Sequence, residues 1–423
     1  MRHLARGIVT TRFDERFARC LVCSVGICPV LESGVNVRLL HVVPMFHPAT
    51  VYGGPSVVAA QQARSLAARG NHVTVAATNV MELRPRRFLR RLTAELDGVQ
   101  VLYFPSRALH PPGYRGSRFP FIVSQKLLKW LENHVKSFDA VHVHFAREWV
   151  PVRAAQTSIN SQVPTFLQPH GMLGRGGGAR DLIDRLWVKR TLEGATVVFA
   201  LQQHESDEIK RIAPGVRMVE LPNGIDPPVN SERWHADNLV DPVVLFLARL
   251  HPRKRVSAFL EMARILSDEG VAARYRVVGP DGGDLVEAQR LVHRYELGDR
   301  VTFVGNLQGE AVVREYRNSA VYVLPSVNEP FPMTVLEALS LGVPTVVTDT
   351  CFIAPMLENS GAAVVSGPQP EVLAESVAEI LRGPGLAERL SCTGRRLART
   401  QFSSERVVDR LENYYRSAHA RAD

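Results

Sequence analysis

The chain has 423 residues and a mass of 46.9 kDa, more than one ordinary core holds and enough for two domains. With 45% hydrophobic and 22% charged residues it is neither wholly disordered nor collagen-like. A formal net charge of +9 and a pI near 9.6 favour anionic partners: nucleotide phosphates, acidic lipid headgroups or nucleic acid. Five cysteines are too few for a disulfide framework, which points to a reducing, cytoplasmic compartment.

Residues 1–35 read as a poorly ordered extension. Their apolar run at 20–31 falls well short of the roughly 20 residues of a spanning helix, and no small-x-small cleavage signal follows it. Cys20, Cys23 and Cys28 crowd there without the fourth ligand that zinc requires, so no metal is expected. From residue 37, short β-branched runs alternate with helical stretches, the pattern of parallel α/β sheets. Strands are predicted at 37–43, 73–77, 99–103, 140–144, 165–168, 196–200 and 218–221. A second set is predicted at 243–247, 275–278, 301–304, 321–324, 345–348 and 363–365.

A first long helix at 56–69 is stopped by Gly70, and a final helix at 405–417 carries Val408, Leu411, Tyr414 and Tyr415 at helical spacing. The polar, proline-bearing stretch 227–242 reads as the connection between the halves. The expected organisation is an extension to residue 35, a Rossmann-like domain over 36–225, a second over 226–402, and a C-terminal helix over 403–423 free to cross back to the first. Two doubly wound domains of this kind face each other across a cleft, and ligands sit at the carboxyl ends of their strands.

The most informative segment is AVYVLPSVNEPFPMTVLEALSLGVPTVVTD, residues 320–349. A strand ends near Pro325, Glu329 follows in a loop, and a helix begins near Pro332 with Glu337 inside it. Free N–H groups at a helix start favour phosphate, and two carboxylates beside them can accept from sugar hydroxyls. The same spacing also fits a helix-capping carboxylate plus a solvated glutamate. Arg249 and Lys254, in LFLARLHPRKRV, follow the first strand of the second half. A guanidinium fork and an ammonium there suit a diphosphate, or form a solvated basic loop. His170-Gly171 follows the strand at 165–168, placed either to bind substrate and move a proton or to serve structurally. Gly53 and Gly54 precede the first long helix, where their backbone can approach a phosphate. Their spacing is not GxGxxG, which disfavours a dinucleotide site.

Taken together, these pieces resemble the retaining glycosyltransferases of family 4, which have the two-domain GT-B fold. The matching segments are YGGPS (52–56), PHGML (169–173), LPNGID (221–226), ARLHPRK (248–254), RVTFVGNL (300–307) and the E-x7-E pair Glu329 and Glu337. They occur in family order. The resemblance implies that Arg249 and Lys254 hold the donor diphosphate, Glu329 binds donor-sugar hydroxyls, and Glu337 binds the ribose. It implies that His170 contacts the donor sugar and, with Glu329, Arg249 and Lys254, makes up the reaction site. It also places Gly54 and the amides of Met333 and Thr334 on the phosphates, and Leu307 near the base. Three positions depart from the pattern: Pro332 and Arg255 stand where glycine is usual, and Gly279-Pro280-Asp281 is a looser glycine-rich turn.

The implied enzyme is a retaining hexosyltransferase that moves sugar from a nucleotide-sugar to a glycan or lipid-linked acceptor in cell-envelope polysaccharide or glycolipid synthesis. No metal or other cofactor is expected, because cationic side chains and a helix dipole neutralise the leaving group. The rival readings are a GT-B nucleotide-sugar epimerase, which fits E-x7-E less well, and a non-catalytic subunit of a polysaccharide assembly complex, supported only by Pro332. The stretches 82–92 and 104–136 interleave basic and aromatic residues, including Tyr114, Phe119, Phe121 and Trp130. They suit docking on the inner, anionic face of the cytoplasmic membrane, or equally an ordinary solvated face. No nucleic-acid-binding module is present, so nucleic acid is not an expected partner.

Overall fold

The computed structural model describes residues 36–49, 54–83, 86–90, 92–109, 121–174, 179–226 and 234–420. The extension at 1–35, Gly53, and the aromatics Tyr114 and Phe119 lie outside the described residues.

Two sheets organise the chain. The first contains β1 (Arg38–Val43), β2 (His72–Thr78), β3 (Thr93–Leu96), β4 (Val99–Phe104), β5 (Ala140–His144), β6 (Thr165–Gln168), β7 (Val197–Ala200) and β8 (Met218–Glu220). Their spatial order is β8-β7-β6-β5-β1-β2-β4-β3, parallel except for the antiparallel edge strand β3. The second contains β9 (Val243–Leu247), β10 (Arg274–Val278), β11 (Val301–Gly305), β12 (Val321–Leu324), β13 (Thr345–Thr348) and β14 (Val364–Ser366). It is wholly parallel, in the order β11-β10-β9-β12-β13-β14. Its central strands are buried along their length, which is why they read as continuous apolar runs rather than alternating ones.

Every strand predicted from the β-branched runs is present. The short antiparallel hairpins Val80–Leu83 with Arg86–Phe88 and Arg107–Leu109 with Phe121–Val123 were not legible, being only three or four residues long.

Six helices pack on these sheets: α1 (Gly54–Ala68), α2 (Gln125–His134), α3 (Trp149–Asn160), α4 (Val256–Asp268), α5 (Met333–Leu341) and α6 (Ser404–His419). α2 buries Leu127, Leu128 and Leu131 and keeps Lys126 and Lys129 outside. Trp130 packs between Phe104, His134 and Phe138, so this aromatic belongs to the core and not to a docking face.

α6 lies against the first sheet. Its Val407, Val408, Leu411 and Tyr415 join the core of β1, β2 and β4. Arg69, after α1, bonds Asp409 at 2.6 Å and Glu412 at 3.3 Å, and Asn71 Nδ2 donates to Glu412 at 2.8 Å. A side chain at Gly224 would meet the Ser404 backbone at 2.7 Å, so glycine lets the chain entering the second half pass under α6.

Candidate active site

The loops at the carboxyl ends of both sheets converge. β9 ends at Leu247, and the chain runs through half-buried Arg249 to Lys254, the last residue of a short 3-10 turn two residues before α4. The turn after β10 packs directly on this loop. A Cβ at Gly279 would fall 2.0 Å from the Ala248 carbonyl oxygen, and one at Gly282 would fall 2.9 Å from Arg249 Cγ. Both glycines are therefore steric requirements for Arg249's position, and the looser turn keeps them.

Lys254 Nζ donates to Glu329 Oε2 at 2.7 Å, joining two loops 75 residues apart. The pair is mostly shielded, with side chains 20% and 10% exposed. Its loop is braced: Val327 N–H donates to the Arg253 carbonyl at 3.1 Å and Phe352 N–H to the Glu329 carbonyl at 3.0 Å. Arg255 holds a left-handed backbone (φ 54, ψ 51), the conformation that explains the family's glycine. Its guanidinium donates to the Pro368 carbonyl at 2.6 Å, compensating a strain of about 1–2 kcal/mol.

Pro332 is the residue immediately before α5, with φ −82 and ψ 102. Its extended ψ turns its carbonyl onto the N–H groups of Val335 and Leu336, at 3.1 and 3.4 Å. The amides of Met333 and Thr334 thus begin the helix, where no intrahelical acceptor exists for them. Two buried tyrosines fix this helix: Tyr322 hydroxyl donates to Thr334 Oγ1 at 2.7 Å, and Tyr316 hydroxyl bonds Glu337 Oε2 at 3.0 Å. Burial pushes Glu337 up to about 7, against the opposing Tyr316 hydrogen bond. Leu307, just beyond β11, is half-buried against the core of the second sheet.

His170 and Gly171 follow β6 in left-handed conformations, φ 55 and 76. Glu205 and Arg147 hold their turn. Buried Glu205 accepts from the N–H groups of Gly171 and Leu201, and burial pushes its carboxyl up to about 7 despite those bonds. Arg147 pairs bidentately with Asp184 at 2.7 and 2.9 Å while donating to the Met172 and Leu173 carbonyls at 3.1 and 3.0 Å. A Cβ on Gly171 would lie 2.7 Å from Pro330 Cβ, so the histidine turn of the first sheet meets the Glu329 loop of the second. His204 stacks on Phe352 beside it, centroids 3.7 Å apart. Gly54 is the first residue of α1, with open space where a side chain would stand.

One group escaped the sequence reading. His41, His142 and His144 are fully buried, with nitrogens within 4.8 Å of one another, and His144 continues to His170 at 2.8 Å. The legible signal was H-x-H in β5, since alternate strand residues share a face. Asn223, in the LPNGID segment, is buried beside His170 and raises its proton affinity, although the two are not in hydrogen-bond geometry. Desolvation dominates, pushing His170 down to about 3.

Known proteins resemble the chain in sequence and in fold. Residues 52–228 match the family described as Glycosyltransferase Family 4, and residues 230–397 match Glycosyl transferases group 1. The chain is 26% identical over 375 residues to a D-inositol 3-phosphate glycosyltransferase of Mycolicibacterium gilvum (strain PYR-GCK), covering 82% of this chain and 81% of that protein. It is 27% identical over 213 residues to the alpha-D-kanosaminyltransferase of Streptomyces kanamyceticus, spanning 50% of this chain and about half (52%) of that relative. Among solved structures, Anabaena Alr3699/HepE in complex with UDP-glucose superposes with a TM-score of 0.69 at 15% identity, covering 90% of this chain and 100% of that one.

The fold is therefore GT-B, two parallel α/β domains. The chain belongs to the GT-B glycosyltransferases of the family 4 type, and it is a glycosyltransferase.

Proposed function

We propose that the protein is a retaining glycosyltransferase that takes a nucleotide-sugar donor and passes its sugar to a glycan or lipid-linked acceptor of the cell envelope. The observation that carries this reading is the Lys254–Glu329 pair beside the start of α5, facing the His170–Gly171 turn. Arg249, Lys254 and the amides of Met333 and Thr334 gather positive charge where a diphosphate leaving group needs it. Gly54, at the start of α1, would approach the phosphates from the opposite domain. Glu329, oriented by Lys254, would accept from donor-sugar hydroxyls, and Glu337 from the ribose, while Leu307 would border the base. His170 would touch the sugar. Retention would follow from front-face attack, the departing phosphate taking the acceptor's proton. The leaving-group charge would be met without a metal or other cofactor. The Anabaena relative's complex with UDP-glucose supports a nucleotide-sugar as donor.

The acceptor side would lie at the cytoplasmic membrane's inner face. No helix among the described residues is long and apolar enough to cross a membrane. Leu182, Leu186 and Trp187 are nonetheless exposed by 57, 57 and 49%, next to exposed Arg185, Lys189 and Arg190, a mixture suited to an anionic bilayer surface. The test of the function is a nucleotide-sugar screen by thermal shift, followed by product anomer analysis. An inverted anomer would overturn retention, and no stabilisation by any nucleotide-sugar would overturn the donor assignment.

A further inference from the structure

His144 stands between two rings. Its Nδ1 lies 2.8 Å from His170 Nε2, and its Nε2 lies 3.3 Å from His41 Nδ1. The His144 and His170 planes are within 5° of parallel with centroids 5.1 Å apart, so the two rings meet edge to edge. All three histidines are buried, and burial depresses each proton affinity, to about 4 for His41 and about 3 for His170. At neutral pH each ring is therefore uncharged and carries one ring proton.

With one proton per ring, both links can form in only two ways. In one, every ring is protonated on Nδ1, and the series ends in an N–H at His170 Nδ1. In the other, every ring is protonated on Nε2, and the series ends in an N–H at His41 Nε2. These two end atoms are both buried without a hydrogen-bond partner. The second arrangement strands a buried donor at His41, which is the expensive kind of orphan. The first leaves only a lone pair there and puts its one unmet donor at His170 Nδ1, on the turn that meets the second sheet's loop, where an entering sugar oxygen can accept from it.

We propose that His41 and His144 are positioning residues that lock His170 in the Nδ1–H tautomer, so that its ring presents a neutral hydrogen-bond donor to a sugar oxygen entering beside Gly171. The consequence for turnover rests on the glycosyltransferase reading; the tautomer does not. A metal fits the rings poorly. Tetrahedral zinc with bonds of about 2.0–2.1 Å needs nitrogens about 3.3 Å apart. Here the three nitrogens spread to 4.8 Å, and both nitrogens of His144 are already engaged.

The decisive experiment is a two-bond proton–nitrogen correlation on the full-length protein labelled with ¹⁵N-histidine, with His144 and His170 assigned from the spectra of H144N and H170N. Both rings are expected to show a protonated Nδ1 and an unprotonated Nε2 at pH 7. An Nε2–H form of either ring overturns the proposal, as does protein purified with one equivalent of zinc on these histidines. In the activity arm, His144→Leu should lower kcat about tenfold or more. His144→Asn, whose amide can donate from the position of Nδ1, should recover kcat to within about threefold of wild type. Equal kcat for wild type and His144→Leu overturns the positioning role. If no transfer is found at all, the spectrum still decides the tautomer, and only the functional reading fails.

Discussion

Gly171 and Pro330 come from different sheets, yet a side-chain carbon on the glycine would sit 2.7 Å from Pro330 Cβ. Gly171 also has φ 76, which alanine adopts at a cost of about 1–2 kcal/mol. Gly171→Ala should therefore push the histidine turn away from the Glu329 loop and lower kcat/KM about tenfold or more, each tenfold being about 1.4 kcal/mol of barrier. The melting temperature checks that the fold survives, and a variant of wild-type kcat/KM would show that the loop at Pro330 yields freely.

In the proposed site Arg249 and Lys254 would divide the donor diphosphate between a fork and a point charge. Replacing either by Ala should cut kcat/KM by on the order of 10²-fold, as removal of a charge-stabilising donor does. Lys254→Ala also leaves shielded Glu329 without its cation, so Glu329→Gln in that background should recover stability without recovering activity. Stability and kinetics measured on the three variants separate the two effects. Near-normal turnover in both single variants would contradict the diphosphate assignment.

Glu337 supplies a pH dependence whose direction follows from its carboxyl, raised to about 7 by burial. In the proposed site the ionised form would accept from ribose hydroxyls, and protonation would remove one acceptor. Donor KM should thus be lowest above pH 7 and climb as pH falls below it. Glu337→Gln should have a raised KM that no longer varies with pH between 5.5 and 8. A wild-type KM constant over that range would remove Glu337 from the donor site.

The strands were legible because buried parallel strands are unbroken β-branched runs, as VVLFL and VYVL show in β9 and β12. The residues proposed for the donor side stand out through segments that keep their order along the chain. The ion pair between Lys254 and Glu329 was not legible, since its partners sit on loops whose meeting depends on the sheet order β9-β12. Nor was the histidine series. It needs His41 and His142 in register on β1 and β5, a pairing that sequence separation of about 100 residues hides. Trp130 misled in the other direction: an aromatic among lysines resembles a docking face until its packing against Phe104 and Phe138 is seen.

No Asp-x-Asp pair accompanies the proposed donor-site residues, where Arg249, Lys254 and the α5 amides would meet the leaving-group charge. Transfer should therefore persist in excess EDTA at an undiminished rate. Loss of transfer with EDTA, restored by magnesium or manganese, would show that a divalent ion shares the leaving-group charge.

The exposed trio Leu182, Leu186 and Trp187 makes the membrane reading testable with a built-in probe. Trp130, Trp149 and Trp234 are partly or fully buried, whereas Trp187 is 49% exposed, so its emission should dominate any change on docking. Vesicles containing anionic phosphatidylglycerol should shift the emission to shorter wavelength, and neutral phosphatidylcholine vesicles should not. Because Arg185, Lys189 and Arg190 are exposed, the attraction should weaken as salt shortens the screening length from about 30 Å at 0.01 M to about 8 Å at 0.15 M. Replacing Leu186 and Trp187 by Ser should abolish sedimentation with anionic vesicles while leaving the nucleotide-sugar thermal shift intact, since the proposed donor contacts lie mainly on the second sheet's loops. Wild-type protein that ignores anionic vesicles at low salt would make this patch a solvated surface and favour a soluble acceptor.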